Sequence, residues 1–66
     1  GGLALGPREA EALRHLADGQ TVKEIAVSMG LSENTVKYHV KRLHTRLGVG
    51  RRSQLLLVAR RLGLLG

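Results

Sequence analysis

Apolar residues fall at helical spacing in four stretches of this chain, separated by turns that carry glycine. The sharpest pattern lies between Ser32 and Leu47. At roughly 100° per residue, Val36, Val40, Leu43 and Leu47 share an arc of about 60°, which predicts a helix over 33–47 with a narrow apolar stripe turned to a core. Asn34, Lys37, Tyr38, Lys41 and Thr45 take the opposite side, with two positive charges and no carboxylate among them. Upstream, Ala26, Gly30 and Val36 stand four and then six residues apart, the spacing at which two helices cross closely through a short turn. The pair reads as a helix-turn-helix.

Two more helices flank that pair. Gly6 sits at an N-cap with Pro7 at the first helical position, where its missing N–H costs nothing. Glu9, at the third, can reach back to the Gly6 N–H, and Leu5 is placed to staple onto Ala10. Ala10, Leu13, Leu16 and Ala17 form the predicted buried face, and Asp18-Gly19 ends this first helix. Thr21-Val22-Lys23-Glu24 is a complete capping box that opens the second, whose inner face is Val22, Ile25, Ala26 and Met29. Gly30 stops it, Leu31 plugs the core from the turn, Ser32 caps the third helix and Gly48 ends that one. A fourth helix is expected over 51–62, with Leu55, Val58, Ala59 and Leu62 on one face and Leu56 on its flank. This apolar arc of roughly 160° is wider than packing on a three-helix core needs, so something else is expected to cover part of it. Leu57 falls near the far side, Gly63 ends the helix, and Leu64 and Leu65 fold back on it. The expected architecture is all-α: a flexible tail over 1–5, then one four-helix domain over 6–66.

Composition narrows the class. Sixty-six residues suffice for one small core and exclude a second domain. There is no cysteine, so neither a disulfide framework nor a thiolate metal site is possible. Tyr38 is the one aromatic residue, which argues against modules that stack single-stranded bases on several rings and favours a duplex target. The chain begins Gly1-Gly2 without Met and reads as an excised piece of something longer. There is no signal peptide pattern and no apolar run near the roughly 20 residues a membrane span requires, so a cytoplasmic setting without membrane contact is expected.

Charge changes the picture more. Of the net +6, residues 1–33 hold three basic groups against five acidic ones, whereas eight basic groups and no acid follow from Asn34 onward. Such polarity points to one face that meets a polyanion. A major groove accepts one helix, and residues near its start reach base edges first, here Asn34, Lys37, Tyr38 and Lys41. Thr35, His39 and Arg46 lie along one edge of that face, within reach of backbone oxygens; a solvated flank is their plain alternative. Lys23, Arg42, Arg51 and Arg52 are further phosphate candidates, with Arg52 alternatively holding the loop before the fourth helix. Tyr38 could also rest on its own helix surface.

Catalysis finds no footing. His39 and His44, five apart on a helix, stand roughly 140° apart round its axis and cannot share a metal, and His15 belongs to another helix. No nucleophile-elbow, zinc-protease or phosphate-loop pattern occurs. No cofactor, metal or small-molecule ligand is expected in this domain.

With those residues in place, the chain resembles the DNA-binding domain of the LuxR/GerE family of bacterial transcription regulators, which includes the output domains of NarL/FixJ-type response regulators. The likeness runs from Leu5 to Leu65. It rests on Pro7-Arg8-Glu9 with Glu11 and Leu13, Leu16-Ala17-x-Gly19, Lys23-Glu24-Ile25-Ala26, Ser32-x-x-Thr35-Val36-Lys37-x-His39-Val40, Leu47-Gly48-Val49-x-x-Arg52 and Gly63-Leu64-Leu65. The resemblance implies a three-helix core whose third helix reads the major groove, with Lys37, Tyr38 and Lys41 nearest the bases. It also implies a fourth helix that makes a homodimer contact, here through Leu55, Leu56, Ala59 and Leu62. Departures from the family pattern are Gly6 for Thr or Ser, Val22 for Asn or Asp, Arg51 for Asn, and bulky Leu55 and Leu56 for small residues. Two other readings stay open: a basic module that docks an acidic protein, and a sigma-factor promoter-reading region that needs core RNA polymerase as partner. RNA polymerase is a further partner to expect of a regulator.

Overall fold

A computed structural model describes residues 4–65 and contains four helices: α1 (Pro7–Ala17), α2 (Val22–Met29), α3 (Glu33–Leu47) and α4 (Arg52–Arg61). The expectations for Gly1, Gly2 and Leu3 in the tail, and for Gly66 at the other end, lie outside the described residues. All four helices expected from the pattern form, with ends within about two residues of the expected positions. The domain is all-helical among the described residues.

Local chemistry explains the boundaries. At the start of α1, the Gly6 N–H donates to Glu9 Oε1 at 3.2 Å. Gly6 has no side-chain oxygen to return the bond, so only half of the capping pair exists. At α2 both halves are present: the Thr21 N–H donates to Glu24 Oε1 at 2.9 Å, and the Glu24 N–H to Thr21 Oγ1 at 3.2 Å. Ser32 caps α3 by accepting the Thr35 N–H at 3.1 Å. The C-terminal ends repeat one device. At Gly30 the backbone turns left-handed (φ 67°), and the N–H groups of Gly30 and Leu31 return to the Val27 and Ala26 carbonyls. The same pair of bonds closes α1 at Gly19 and Gln20, α3 at Gly48 and Val49, and α4 at Gly63 and Leu64. A Cβ at Gly30 would meet nothing within 4 Å, so the requirement there is conformational, not steric.

The capping box at α2 yields a checkable outcome. Thr21→Ala is expected to lower unfolding free energy by about 1 kcal/mol, read from urea denaturation. The backbone N–H of Thr21, and then its hydroxyl, hold the Glu24 carboxyl below its usual pKa. A depressed folded value means that the contribution of Glu24 is complete above the ordinary carboxylate pKa and is lost as pH falls through the lowered one.

The core is aliphatic and centred on α3, which packs against each of the other three helices. Leu13, Ile25, Val36, Leu43 and Leu55 are fully buried, joined by Ala12, Leu16, Ala26, Met29 and Ala59. Leu5, Val40 and Leu47 lie half-buried against them, as do Leu31, Val49 and Leu64 from the residues that follow the helix-ending glycines.

Two expectations about helix faces are corrected. In α1 the buried set is Glu9, Ala12, Leu13 and Leu16, with Ala10 and Ala17 only half-buried. The true stripe follows i, i+3, i+4, i+7, but its first member is a carboxylate, so an apolar pattern alone places the face too far round. In α4, Leu55 and Ala59 are entirely covered by their own chain and have no surface left for a dimer contact. Leu56 and Val58 are half-buried on either flank, and Leu57 and Leu62 stand 50% and 53% exposed.

Candidate nucleic-acid interface

Because Val36 and Leu43 anchor α3 inward, the opposite side of that helix faces out. Asn34, Lys37, Tyr38, Lys41 and Thr45 are all exposed there, as the helical pattern predicts. Tyr38, Lys41, Arg42, Thr45 and Arg46 line a shallow groove along α3. Thr35 and His39 are half-buried on the edge of the face. Thr35 Oγ1 lies 2.9 Å from Ser32 Oγ, and the His39 ring meets the Tyr38 ring edge-on at 5.6 Å between centroids. Lys23 on α2 and Arg51 at the start of α4 are exposed.

Not every arginine of the expected phosphate set points its charge outward. Arg46 donates from Nη1 to Glu9 Oε1 at 3.0 Å and from Nη2 to the Ala4 carbonyl. Arg52 donates from Nη2 to the Leu16 carbonyl at 2.8 Å and to the Gln20 carbonyl at 3.0 Å, so it clamps the α1–α2 connection rather than the loop before α4. Both guanidinium groups are engaged within the fold, and phosphate contact would have to compete with bonds they already make. Arg42 is different. Its side chain is half exposed, with Nε 3.6 Å from Glu9 Oε2 and Nη1 donating to the Tyr38 hydroxyl at 3.3 Å. Its Cζ stands 5.8 Å from the centre of the Tyr38 ring. The Tyr38 hydroxyl, chiefly, and the Glu9 charge raise the Arg42 pKa further above its ordinary value.

Glu9 is the residue that sequence reasoning underrated. Its position marks it only for the start of α1; in the fold it is 6% exposed and also faces two arginines of α3. Two signals were available in the chain: Glu9 stands in register with Ala12, Leu13 and Leu16, and Arg42 and Arg46 lie four apart on a neighbouring helix.

The family description "Bacterial regulatory proteins, luxR family" (GerE) matches residues 3–59, nearly the whole chain. The chain belongs to the LuxR family. Among curated LuxR-family relatives, the probable HTH-type transcriptional regulator GfsR of Streptomyces halstedii is 49% identical over 55 residues, 83% of this chain and 23% of the relative. The probable transcriptional regulatory protein NarL of Mycobacterium tuberculosis is 41% identical over 61 residues, 92% of this chain and 28% of the relative. The chain thus spans about a quarter of the length of these LuxR-family regulators. A solved structure of the transcription factor GerE superposes with a TM-score of 0.87 at 37% identity, covering 94% of this chain and 92% of that one. The response regulator ChrA of a heme-sensing two-component system gives 0.89 at 35% identity, covering 94% of this chain and 31% of that one.

Membership in the LuxR family makes this a helix-turn-helix domain of transcriptional regulators, whose work is DNA binding and not catalysis. It sets aside the acidic-protein docking module and the sigma-factor reading. Among the described residues of this LuxR-family domain, no group of three or more His, Asp or Glu side chains is arranged to hold a metal ion. His44 Nδ1 instead lies 3.2 Å from the Val49 carbonyl, tying the end of α3 to the turn that follows. No described helix is long and apolar enough to cross a membrane.

Proposed function

We propose that this domain binds double-stranded DNA by laying α3 in the major groove, with Asn34, Lys37, Tyr38 and Lys41 toward base edges. The observation that carries this reading is the exposed side of α3 formed by Asn34, Lys37, Tyr38, Lys41 and Thr45, with no carboxylate among these five, while the buried stripe holds the helix from behind. Lysine ammonium groups match the guanine O6 and N7 acceptors, and asparagine matches adenine N6 and N7. Thr35 and His39 on the edge, Lys23 on α2, Arg42 on α3 and Arg51 at α4 supply phosphate contacts that fix the register. Two copies pair on two-fold related half-sites through the flank of α4 that carries Leu56 and Leu62, doubling the length of sequence read. The domain acts as part of a transcription regulator in the cytoplasm.

The test is a titration of labelled duplex, carrying a site selected from a random pool, over a series of salt concentrations. The cations of the proposed interface, Lys23, Lys37, Lys41, Arg42 and Arg51, give a slope of log K against log salt of roughly −4 to −5 for each bound domain. Two domains are expected per selected site. A slope near zero rules out the electrostatic footing of the model, and saturation at one domain per site rules out pairing.

A further inference from the structure

Glu9 is a buried carboxylate with more partners than a helix cap requires. One Gly6 N–H would satisfy the cap, yet Glu9 also meets Arg46 Nη1 at 3.0 Å and Arg42 Nε at 3.6 Å. These partners do different things. Arg46 ends within the protein on the Ala4 carbonyl, so it acts as a strut between α3 and the segment before α1. Arg42 continues outward: its Nε faces Glu9 Oε2 across a 3.6 Å ion pair, an oxygen that accepts no hydrogen bond, and its Nη1 donates to the hydroxyl of Tyr38, a residue 55% exposed on the reading face.

A guanidinium is a rigid planar fork, so fixing one edge of it aims the other. Left free, an arginine side chain is among the most mobile in a protein, and an exposed tyrosine beside it would still exchange among its own few rotamers. A phenol oxygen that accepts a bond from Arg42 keeps its own hydrogen available to a third group. Acceptors on the major-groove edge are purine N7, guanine O6 and thymine O4; the amino groups of adenine and cytosine are donors.

We propose that Glu9 is a positioning residue for base recognition: through Arg42 it holds Tyr38 on the face of α3 as a hydrogen-bond donor toward an acceptor on a base edge. This rests on the placement of α3 in the major groove. It assigns a residue of α1, buried and away from the reading face, a share in choosing the DNA sequence.

The experiment is a double-mutant cycle on the intact chain. Wild type, Glu9→Gln, Tyr38→Phe and the double variant are titrated with the selected site and with an unrelated duplex, after thermal melts have confirmed folding. The readout is the ratio of the two affinities, which cancels loss of phosphate contacts. Tyr38→Phe is expected to reduce that ratio about three- to tenfold, the range for one lost hydrogen bond. Glu9→Gln is expected to produce part of the same reduction in wild type and less than about a twofold change once Tyr38 is Phe. Independent, multiplying reductions, or an unchanged ratio, overturn the proposal. Should Glu9→Gln fail to fold, Arg42→Gln breaks the same link at a half-exposed side chain, and the same non-additivity with Tyr38→Phe is expected.

A second measurement needs no DNA. Because Tyr38 is the one tyrosine of the chain, 3-fluorotyrosine incorporation gives a single ¹⁹F resonance. It is expected to shift in both Glu9→Gln and Arg42→Gln; an unmoved resonance in both overturns the link. If the wild-type domain does not bind duplex at all, the groove placement fails and the proposal fails with it, whatever the resonance does. If it binds and discriminates while the cycle is additive, only the role of Glu9 fails.

Discussion

Truncating Leu43 to alanine is expected to lower the unfolding free energy by about 2–5 kcal/mol, the range for a leucine removed from a close-packed interior. Leu43 is fully buried on α3, and α3 touches every other helix, so the void would open where the packing of the whole domain converges. A chain this small has little to lose: at about 0.05–0.15 kcal/mol per residue its total stability is on the order of 3–10 kcal/mol. The variant is therefore expected to lose a large share of its stability, seen as a lowered urea midpoint with an unchanged slope if the transition remains two-state. Leu57→Ala, at a half-exposed position on the far side of α4, serves as the internal comparison and should change stability by no more than about 0.5 kcal/mol. A loss below about 1 kcal/mol at Leu43 would contradict a core organised around α3.

The second large effect falls on binding. Lys37→Ala and Lys41→Ala are each expected to cost about 1–3 kcal/mol on the selected site and clearly less on random duplex. Both side chains are exposed and neither makes a hydrogen bond or ion pair among the described residues, so the melting temperature should hardly move. The comparison separates two roles for a lysine near DNA. A base contact shows as a change in discrimination, whereas a phosphate contact weakens every duplex alike and lowers the salt slope by about 1. Equal losses on both duplexes would move these lysines to the phosphate set and leave Tyr38 and Asn34 as the remaining base readers.

Helix boundaries were legible in the chain because their signals are local. Pro7, the Thr21-to-Glu24 box, Ser32 and the glycines at 19, 30, 48 and 63 each act on backbone groups within a few residues of themselves, and the caps and turns form with those partners. The outward side of α3 was legible for a similar reason. A narrow stripe of Val36, Val40, Leu43 and Leu47 leaves only one way for the helix to face.

The faces of α1 and α4 were harder to read. The burial of Glu9 contradicts the rule that carboxylates face water, and it is tolerated because two arginines from α3 and the Gly6 N–H surround it. Of the four residues through which the family resemblance implies a dimer contact, Leu55, Leu56, Ala59 and Leu62, the core of this chain takes Leu55 and Ala59. Arg46 and Arg52 are phosphate candidates by charge and position, but charge and position do not reveal that their guanidinium groups also tie distant backbone segments together.

What the order of residues determined by itself is therefore the number of helices, where each begins and ends, and which side of α3 is cationic. These depend on hydrogen bonds and periodicity that span at most one or two turns. Only the packed structure decided which charges find partners within the protein, since Glu9 meets Arg42 and Arg46, and Arg52 meets the Leu16 and Gln20 carbonyls, across separations that no local pattern encodes. A guanidinium satisfies whichever oxygen the fold brings within about 3 Å, and that choice exists only once the helices have closed on one another.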